Sequence, residues 1–238
     1  MIELYNLILY KPLFNAVIFI YNILPGQDFG LAIVVLTLVI RSVFFPLTVR
    51  TVRSQRALNK INPRMKEIKE RFKNDAQAQS AAIMKLYKDN NINPLSGCLP
   101  LLIQLPILIA LYSAFGAGFK PENLDLLYGF IQNPGQINTL SFGFLDITKS
   151  SAVLALVTGG FQYLQLKQNS DIMGSTDRSG QPEGQKEMQA LSKQMLYFFP
   201  VMIIIIGWNL PAGLIVYWLT TTLFSMGEQS YIRARYKD

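Results

Sequence analysis

The chain has 238 residues, of which 50% are hydrophobic and only 16% charged, and its formal net charge is +7. This composition excludes an ordinary soluble domain, because the apolar residues are clustered in long segments with almost no charge. With one cysteine and no histidine, the chain can form neither an intramolecular disulfide nor a Cys/His metal site, and we predict no metal or other cofactor.

Residues 1–28 are predicted to form an extracytoplasmic helix that lies in the membrane interface. The segment "LILYKPLFNAVIFIYNIL" (residues 7–24) is apolar but contains Lys11, Pro12 and two asparagines. Polar residues among apolar ones suit an interfacial helix. The alternative is a true membrane span, which would place the strongly basic segment that follows on the outer side.

Five membrane spans are predicted from the remaining apolar segments, since a helix needs about 20 apolar residues to cross a bilayer. They comprise residues 29–49, 94–116, 151–166, 194–209 and 211–227. The last two are joined at "NLPAG", which predicts a tight helical hairpin. The predicted fold class is therefore an all-α membrane protein.

The distribution of Lys and Arg predicts which connections are cytoplasmic. Eleven of these residues fall between Arg50 and Lys88, whereas residues 117–150 contain two. Cytoplasmic loops collect positive charge. We therefore place the N-terminus outside the cell. The other predicted connections are a cytoplasmic segment at 50–93, an extracytoplasmic loop at 117–150, a cytoplasmic loop at 167–193 and a cytoplasmic tail at 228–238.

A helical hairpin is predicted in the cytoplasmic segment. Apolar residues of its first arm recur at spacings of three and four, and Pro63 is expected to kink this arm. The seam consists of Leu58, Ile61, Met65, Ile68 and Phe72, and the second arm offers Ala82, Ile83, Leu86 and Tyr87. The basic side chains predicted to contact substrate or lipid are Arg53, Arg56, Lys60, Arg64, Lys66 and Lys69. A solvated face that only sets topology is the alternative, and without interleaved aromatic residues we predict no specific nucleic-acid binding.

Arg41 interrupts the first span, within "LTLVIRSVFFPLTVR" (residues 36–50). A central arginine costs about 2.5–3.5 kcal/mol on insertion scales, so it usually faces water, a partner or a cavity. No acidic residue lies within the five predicted spans, and we therefore expect Arg41 to face water with no ion-pair partner in the chain. Snorkelling to the interface and an unrecognised ion pair are the alternatives.

Polar residues recur on one face of several spans. Thr37 and Thr48 share a helical face with Arg41. The other polar positions are Gln104 in the second span, Thr158, Gln162 and Gln165 in the third, and Trp218, Thr221, Thr222 and Ser225 in the fifth. Interhelical hydrogen bonding explains any one of these stripes. Several stripes together with an arginine predict a shared water-filled cavity.

Four segments carry a family resemblance: "GLAIVVLTLVIRSVFFPLT", "NINPLSGCLPLLIQLPILIALYSAF", "FQYLQLK" and "FFPVMIIIIGWNLPAGLIVYWLTTTLFS". Over roughly residues 25–230 the chain resembles the YidC/Oxa/Alb membrane protein insertases, and the "NPLSGCLPLLIQLP" block is the most specific part. The resemblance implies five transmembrane helices around a hydrophilic groove that opens to the cytoplasm and to lipid. The groove positions it implies are Arg41, Thr37, Trp218 and Gln165, with Gln162 as the neighbouring alternative; Gln104 and Thr222 complete the predicted set.

The resemblance also implies a function. Members insert and help to fold membrane proteins, alone or beside the Sec translocon, in the inner membrane of bacteria. The implied partners are nascent membrane proteins, the Sec translocon, the ribosome or the signal recognition particle pathway, and membrane lipids. Unlike many members, the chain shows neither a large extracytoplasmic domain nor a long basic tail. We therefore expect a compact bacterial member, with an organelle member or a shortened chain as the alternatives, and we question ribosome docking through the tail.

Two other function classes were weighed. A small-solute transporter or anion channel is the alternative, since a basic polar cavity would suit it. An enzyme is not predicted, because the sequence shows no nucleophile–base pair, metal site or glycine-rich phosphate loop.

Overall fold

The computed structural model describes residues 2–93, 99–116, 126–172 and 196–235, and these residues are mainly helical. The elements are α1 (Ile2–Tyr5), a π-helical turn (Asn6–Tyr10), α2 (Lys11–Ile23), α3 (Phe29–Arg71), α4 (Ala76–Asp89), α5 (Leu99–Gly116), β1 (Leu140–Ser141), β2 (Leu145–Asp146), α6 (Ala152–Ile172), α7 (Leu196–Gly207) and α8 (Ala212–Arg235). Some residues with predictions lie outside the described residues. They include Met1, Cys98 and parts of 94–116, 117–150, 167–193, 194–209 and 228–238.

The first predicted span and the first arm of the predicted hairpin form one continuous helix, α3. Asp28 caps its N-terminus by accepting a hydrogen bond from the backbone N–H of Leu31 at 2.9 Å. The helix includes both Pro46 and Pro63 and has 43 residues. At 1.5 Å per residue it is about 64 Å long, roughly twice the thickness of a bilayer's hydrocarbon core. Half of α3 therefore projects beyond the membrane if its start lies at the outer face.

The helix α4 runs back along the second half of α3. Asp75 caps it by accepting from the backbone N–H of Ala78 at 2.9 Å. Gln79 donates to the carbonyl of Lys69 at 3.0 Å, and the Tyr87 hydroxyl donates to the sulfur of Met65 at 3.1 Å. The two helices are antiparallel, because contacts later in α4 meet residues earlier in α3.

The main core lies where α2 packs on the beginning of α3 and on α5, and it extends to residues at the beginning of α8. It contains Phe14, Ile18 and Tyr21 of α2, Phe29 and Ile33 of α3, Ile107 and Leu111 of α5, and Leu214 and Tyr217 of α8. Tyr21 also stacks at a tilt on Phe29, with ring centroids 5.6 Å apart. The helix α2 thus packs against two other helices, α3 and α5.

The segment 126–149 follows α2 along most of its length. Asn15 donates to the carbonyl of Leu126 at 3.1 Å and accepts from the N–H of Tyr128 at 2.7 Å. Asn22, two turns further on, donates to the carbonyl of Gln132 at 2.6 Å. By length and hydropathy the stretch Asn6–Ile23 could cross a membrane. A spanning helix would meet a one-sided loop near one end only, so these contacts favour the interfacial prediction.

A two-residue β-hairpin docks on the start of α3. Strands β1 and β2 pair Leu140 with Asp146, and the turn between them includes Gly143 at φ +77°. The backbone N–H of Gly30 donates to the hydroxyl of Ser141 at 2.8 Å. A Cβ at Gly30 would lie 2.7 Å from the Phe142 ring, so this close approach requires glycine.

The number of spans remains a prediction. Among the described residues, Asn6–Ile23 and Phe29–Leu58 are long and apolar enough to cross a membrane, and Gln104–Ser113 and Leu196–Gly207 are shorter apolar helices. The predicted mainly α-helical fold is confirmed, whereas the arrangement of five spans around a groove stays a prediction.

Candidate functional site

A small cavity with a mixed polar and apolar lining lies between α3, α5 and α8, and Arg41 lines it. The other lining residues are Thr37, Ile40, Phe44, Leu47, Thr48 and Thr51 of α3, Gln104 and Ile107 of α5, and Tyr217 and Thr221 of α8. Its volume is about 40 Å³, which is room for roughly two or three water molecules. The cavity can hydrate the arginine but, in this closed form, cannot hold a polypeptide.

Arg41 is held by α8. Its Nη2 donates to the hydroxyl of Ser225 at 2.6 Å and to the carbonyl of Thr221 at 3.4 Å. Its Nη1 lies 3.7 Å from Oε2 of Glu228, and the two side chains are 20% and 3% exposed. The prediction that Arg41 has no ion-pair partner is therefore wrong.

Glu228 was missed because the fifth span was ended at residue 227. The helix α8 continues without a break to Arg235. Thr221, Ser225 and Glu228 are spaced by four and three residues, so they lie on one face of α8. The signal was present in the stripe already noted at Thr221 and Ser225, which needed only one further position.

The remaining predicted groove residues form a second polar cluster, between α6 and α8. The side-chain carbonyl of Gln162 accepts from the indole N–H of Trp218 at 3.2 Å and from the hydroxyl of Thr222 at 3.3 Å. Its amide nitrogen donates to Gln165 at 2.8 Å. None of these four residues lines the cavity of Arg41.

The predicted single compartment is therefore two polar clusters in this structure. Thr37, Thr48 and Gln104 share the cavity with Arg41. Thr158 is buried and donates within its own helix, to the carbonyl of Leu154 at 2.8 Å. Interhelical hydrogen bonding, the alternative that the sequence raised, thus accounts for Gln162, whereas Thr158 bonds within its own helix.

The predicted basic residues follow the cavity along α3. Arg53, Lys60 and Arg64 are exposed, whereas Arg56, Lys66 and Lys69 are half-buried. From Arg53 to Lys69 the helix rises by about 24 Å. In the part of the chain that the structure describes, no three Asp, Glu or Cys side chains lie together as a metal site would require.

The chain is similar to proteins of one family. Residues 19–238 match the sequence profile of the family described as "60Kd inner membrane protein". The "Membrane protein insertase YidC" of Fusobacterium nucleatum subsp. nucleatum is 32% identical over 205 residues, which is 86% of each chain. The protein of that name from Streptomyces avermitilis is 33% identical over 230 residues, covering 87% of this chain but 51% of its own length.

A solved structure supports the same fold. The "Active YidC insertase crystal structure with the first transmembrane domain resolved" is similar with a TM-score of 0.59 at 24% identity. The match covers 94% of this chain and 47% of that one. The chain thus spans most of the Fusobacterium relative but only about half of the Streptomyces protein and of the solved chain.

Proposed function

Since the chain belongs to the 60Kd inner membrane protein family, we propose that it is a membrane protein insertase and folding chaperone. Its substrates would be nascent membrane proteins with short polar tails. The single observation that carries this proposal is an arginine within the apolar stretch of α3, lining a cavity that three helices share and that has room for water.

The position of Arg41 on α3 suits this role. It lies about 18 Å along the helix from Phe29, well inside a hydrocarbon core of about 30 Å. Val39 and Val43 are exposed on the other side of the same helix, where lipid would cover them. One stretch of α3 thus presents an apolar face outward and a charge inward.

The proposed mechanism lowers the cost of moving a polar tail into the membrane. An unpaired amide or hydroxyl group costs roughly 2–7 kcal/mol in an apolar medium. Water, the hydroxyls of Thr37 and Thr48 and the amide of Gln104 would solvate the tail, and Arg41 would attract its carboxylates. Because the resting cavity is small, α3 must separate from α5 or α8 to admit the tail. The apolar segment then leaves into lipid, gaining about 25 cal/mol for each Å² of apolar surface buried.

The direction in which the groove opens is inferred from which end of its helices is covered. The helix α2 and the segment 126–149 pack over the beginnings of α3 and α8. We propose that this covered end faces outward and that the groove opens toward the cytoplasm and lipid. The N-terminus would then lie outside and the C-terminus inside, in the inner membrane of a bacterium. The hairpin and its basic residues would meet arriving substrates and anionic lipid headgroups.

The partners beyond substrate are proposals of the same kind. The chain would work alone or beside the Sec translocon, and would receive substrates from the ribosome or the signal recognition particle pathway. Insertion into liposomes that contain only this protein separates an autonomous insertase from a chaperone that needs the translocon.

The test is insertion by purified protein in liposomes, scored by protection of the substrate's tail from protease. Arg41→Ala should lower insertion of an acidic-tailed substrate about tenfold, which corresponds to about 1.4 kcal/mol. Arg41→Lys should retain much of the activity, because the attraction needs only a positive charge. Arg50→Ala is the matched control, since it removes one arginine from an exposed position of the same helix, outside the cavity.

Wild-type insertion by Arg41→Ala would reject this mechanism. The same liposomes also test the rival class. Anion or small-solute flux that depends on Arg41, without insertion, would identify a transporter or channel instead.

A further inference from the structure

The ion pair between Arg41 and Glu228 is loose. Its nitrogen–oxygen distance of 3.7 Å is longer than a hydrogen bond, whereas the arginine's contact with Ser225 is 2.6 Å. Both carboxylate oxygens of Glu228 are buried without a hydrogen bond of good geometry among the described residues, although the hydroxyl of Thr48 interacts with this carboxylate. Arg41 is thus bound mainly through neutral groups, and Glu228 neutralises its charge only in part.

The same chain makes a much tighter acidic contact elsewhere. Asp146 lies 2.9 Å from Nζ of Lys149 and accepts from the hydroxyl of Thr148 at 2.7 Å. That carboxylate is partly exposed, where satisfying it is easy. Glu228 is buried, where an ionised carboxylate with poor partners is expensive. A buried acid held this loosely is poorly explained as a structural brace.

Resting on the proposed insertase function, we propose that Glu228 is an internal competitor for Arg41 that sets the charge specificity of the site. In the closed form Glu228 occupies the position that a carboxylate of the substrate's tail would take. An acidic tail replaces it and makes the closer contact with Arg41. A neutral tail has no group that competes.

Two carboxylates that share one guanidinium repel each other, so an acidic tail at Arg41 disfavours Glu228 in its buried position. The exchange thus removes Glu228 from Arg41 only when the tail carries a carboxylate.

The competitor and a structural brace predict different outcomes for Glu228→Gln. A brace would weaken insertion of every substrate to a similar degree. Removing a competitor instead leaves Arg41 in place with no carboxylate beside it. Acidic tails should gain and neutral tails should not.

The experiment uses two substrates that differ only in the translocated tail, with two Asp or two Asn residues. Insertion into liposomes is measured for the wild type, Glu228→Gln and Glu228→Asp, per molecule of folded protein. Glu228→Gln should raise the acidic-to-neutral ratio roughly fivefold, which corresponds to about 1 kcal/mol. Glu228→Asp keeps the charge and should keep the ratio. Glu67→Gln removes an exposed acid from α3 and controls for net charge.

Three results would overturn the proposal. One is an unchanged ratio for Glu228→Gln, and another is an equal loss with both tails. The third is failure of both Glu228→Gln and the isosteric Glu228→Met to fold, which would assign Glu228 a structural role. Arg41→Ala is measured in the same experiment. If this variant inserts the acidic tail normally, the proposed insertase mechanism fails as well. If this variant loses insertion of the acidic tail while Glu228→Gln leaves the acidic-to-neutral ratio unchanged, only the competitor proposal is rejected.

Discussion

Gly159 and Gly160 test whether α6 packs against α7 as the structure has it. A Cβ at Gly159 would overlap Cγ1 of Ile204 and lie 2.8 Å from its Cδ1 and 3.1 Å from the carbonyl oxygen of Pro200. A Cβ at Gly160 would meet nothing within 4 Å in the described part of the chain. The two neighbours therefore offer the same substitution with and without a steric conflict.

The magnitude follows from what the two alanine variants share. Alanine is favoured over glycine in a helix by about 1 kcal/mol, and this gain is common to both variants. Overpacking at Gly159 costs about 1–3 kcal/mol, because the β-branched Ile204 has one strongly preferred χ1 rotamer in a helix and the Pro200 carbonyl is part of the backbone. For a chain of this size, 1 kcal/mol shifts the melting temperature by roughly 2–4 °C. Gly159→Ala should therefore melt roughly 2–12 °C below Gly160→Ala.

The assay is thermal unfolding of both variants in the same detergent, followed by tryptophan fluorescence. Ile204→Ala in the Gly159→Ala background should recover part of the loss, since it removes the side chain that the new methyl group meets. A melting temperature for Gly159→Ala equal to or above that of Gly160→Ala would show that α6 and α7 do not meet at this position.

Two further predictions concern polar contacts between distant segments. Asn15→Ala leaves two backbone groups of the segment 126–149 without their partner and should cost about 1–3 kcal/mol of unfolding free energy. Asn22→Ala removes a more exposed contact and should cost less. A lower melting temperature for Asn15→Ala than for Asn22→Ala checks this order. Gln162→Leu removes the acceptor of the Trp218 indole and should shift its emission to the blue in a Trp208→Phe background, and an unchanged spectrum would place Trp218 away from Gln162.

The elements that sequence predicted well are those that local chemistry determines. The helix α3 begins at Phe29, the first residue of the predicted first span, directly after its cap Asp28. Met65 of the predicted seam and Tyr87 of the predicted second arm are in contact. The predicted family is confirmed by a profile that covers residues 19–238.

Contacts between distant segments could not be predicted in the same way. Asn15 looked like a polar interruption of an apolar helix, yet it is 2% exposed and bonded to residues more than 100 positions away. Nothing in the local pattern identifies such partners, because an asparagine amide can bond equally well to the backbone N–H and carbonyl groups of any segment. Gln162 shows the same limit: its stripe was recognised, but not that its acceptor is saturated by α8.

Glu228 is a different kind of miss, since the predicted topology contained the information. Under that topology α3 and α8 both run from the outer side inward, so residues at equal distances from their starts lie at similar depths. Arg41 is 12 residues beyond Phe29, and Glu228 is 16 residues beyond Ala212. The difference of four residues is about 6 Å of helix rise, which an extended arginine side chain can cover. The predicted fifth span ends at residue 227 because Glu228 is charged, but the helical face of Thr221 and Ser225 continues to Glu228. A carboxylate at the depth of an intramembrane arginine has a reason to be there, and that reason is the arginine.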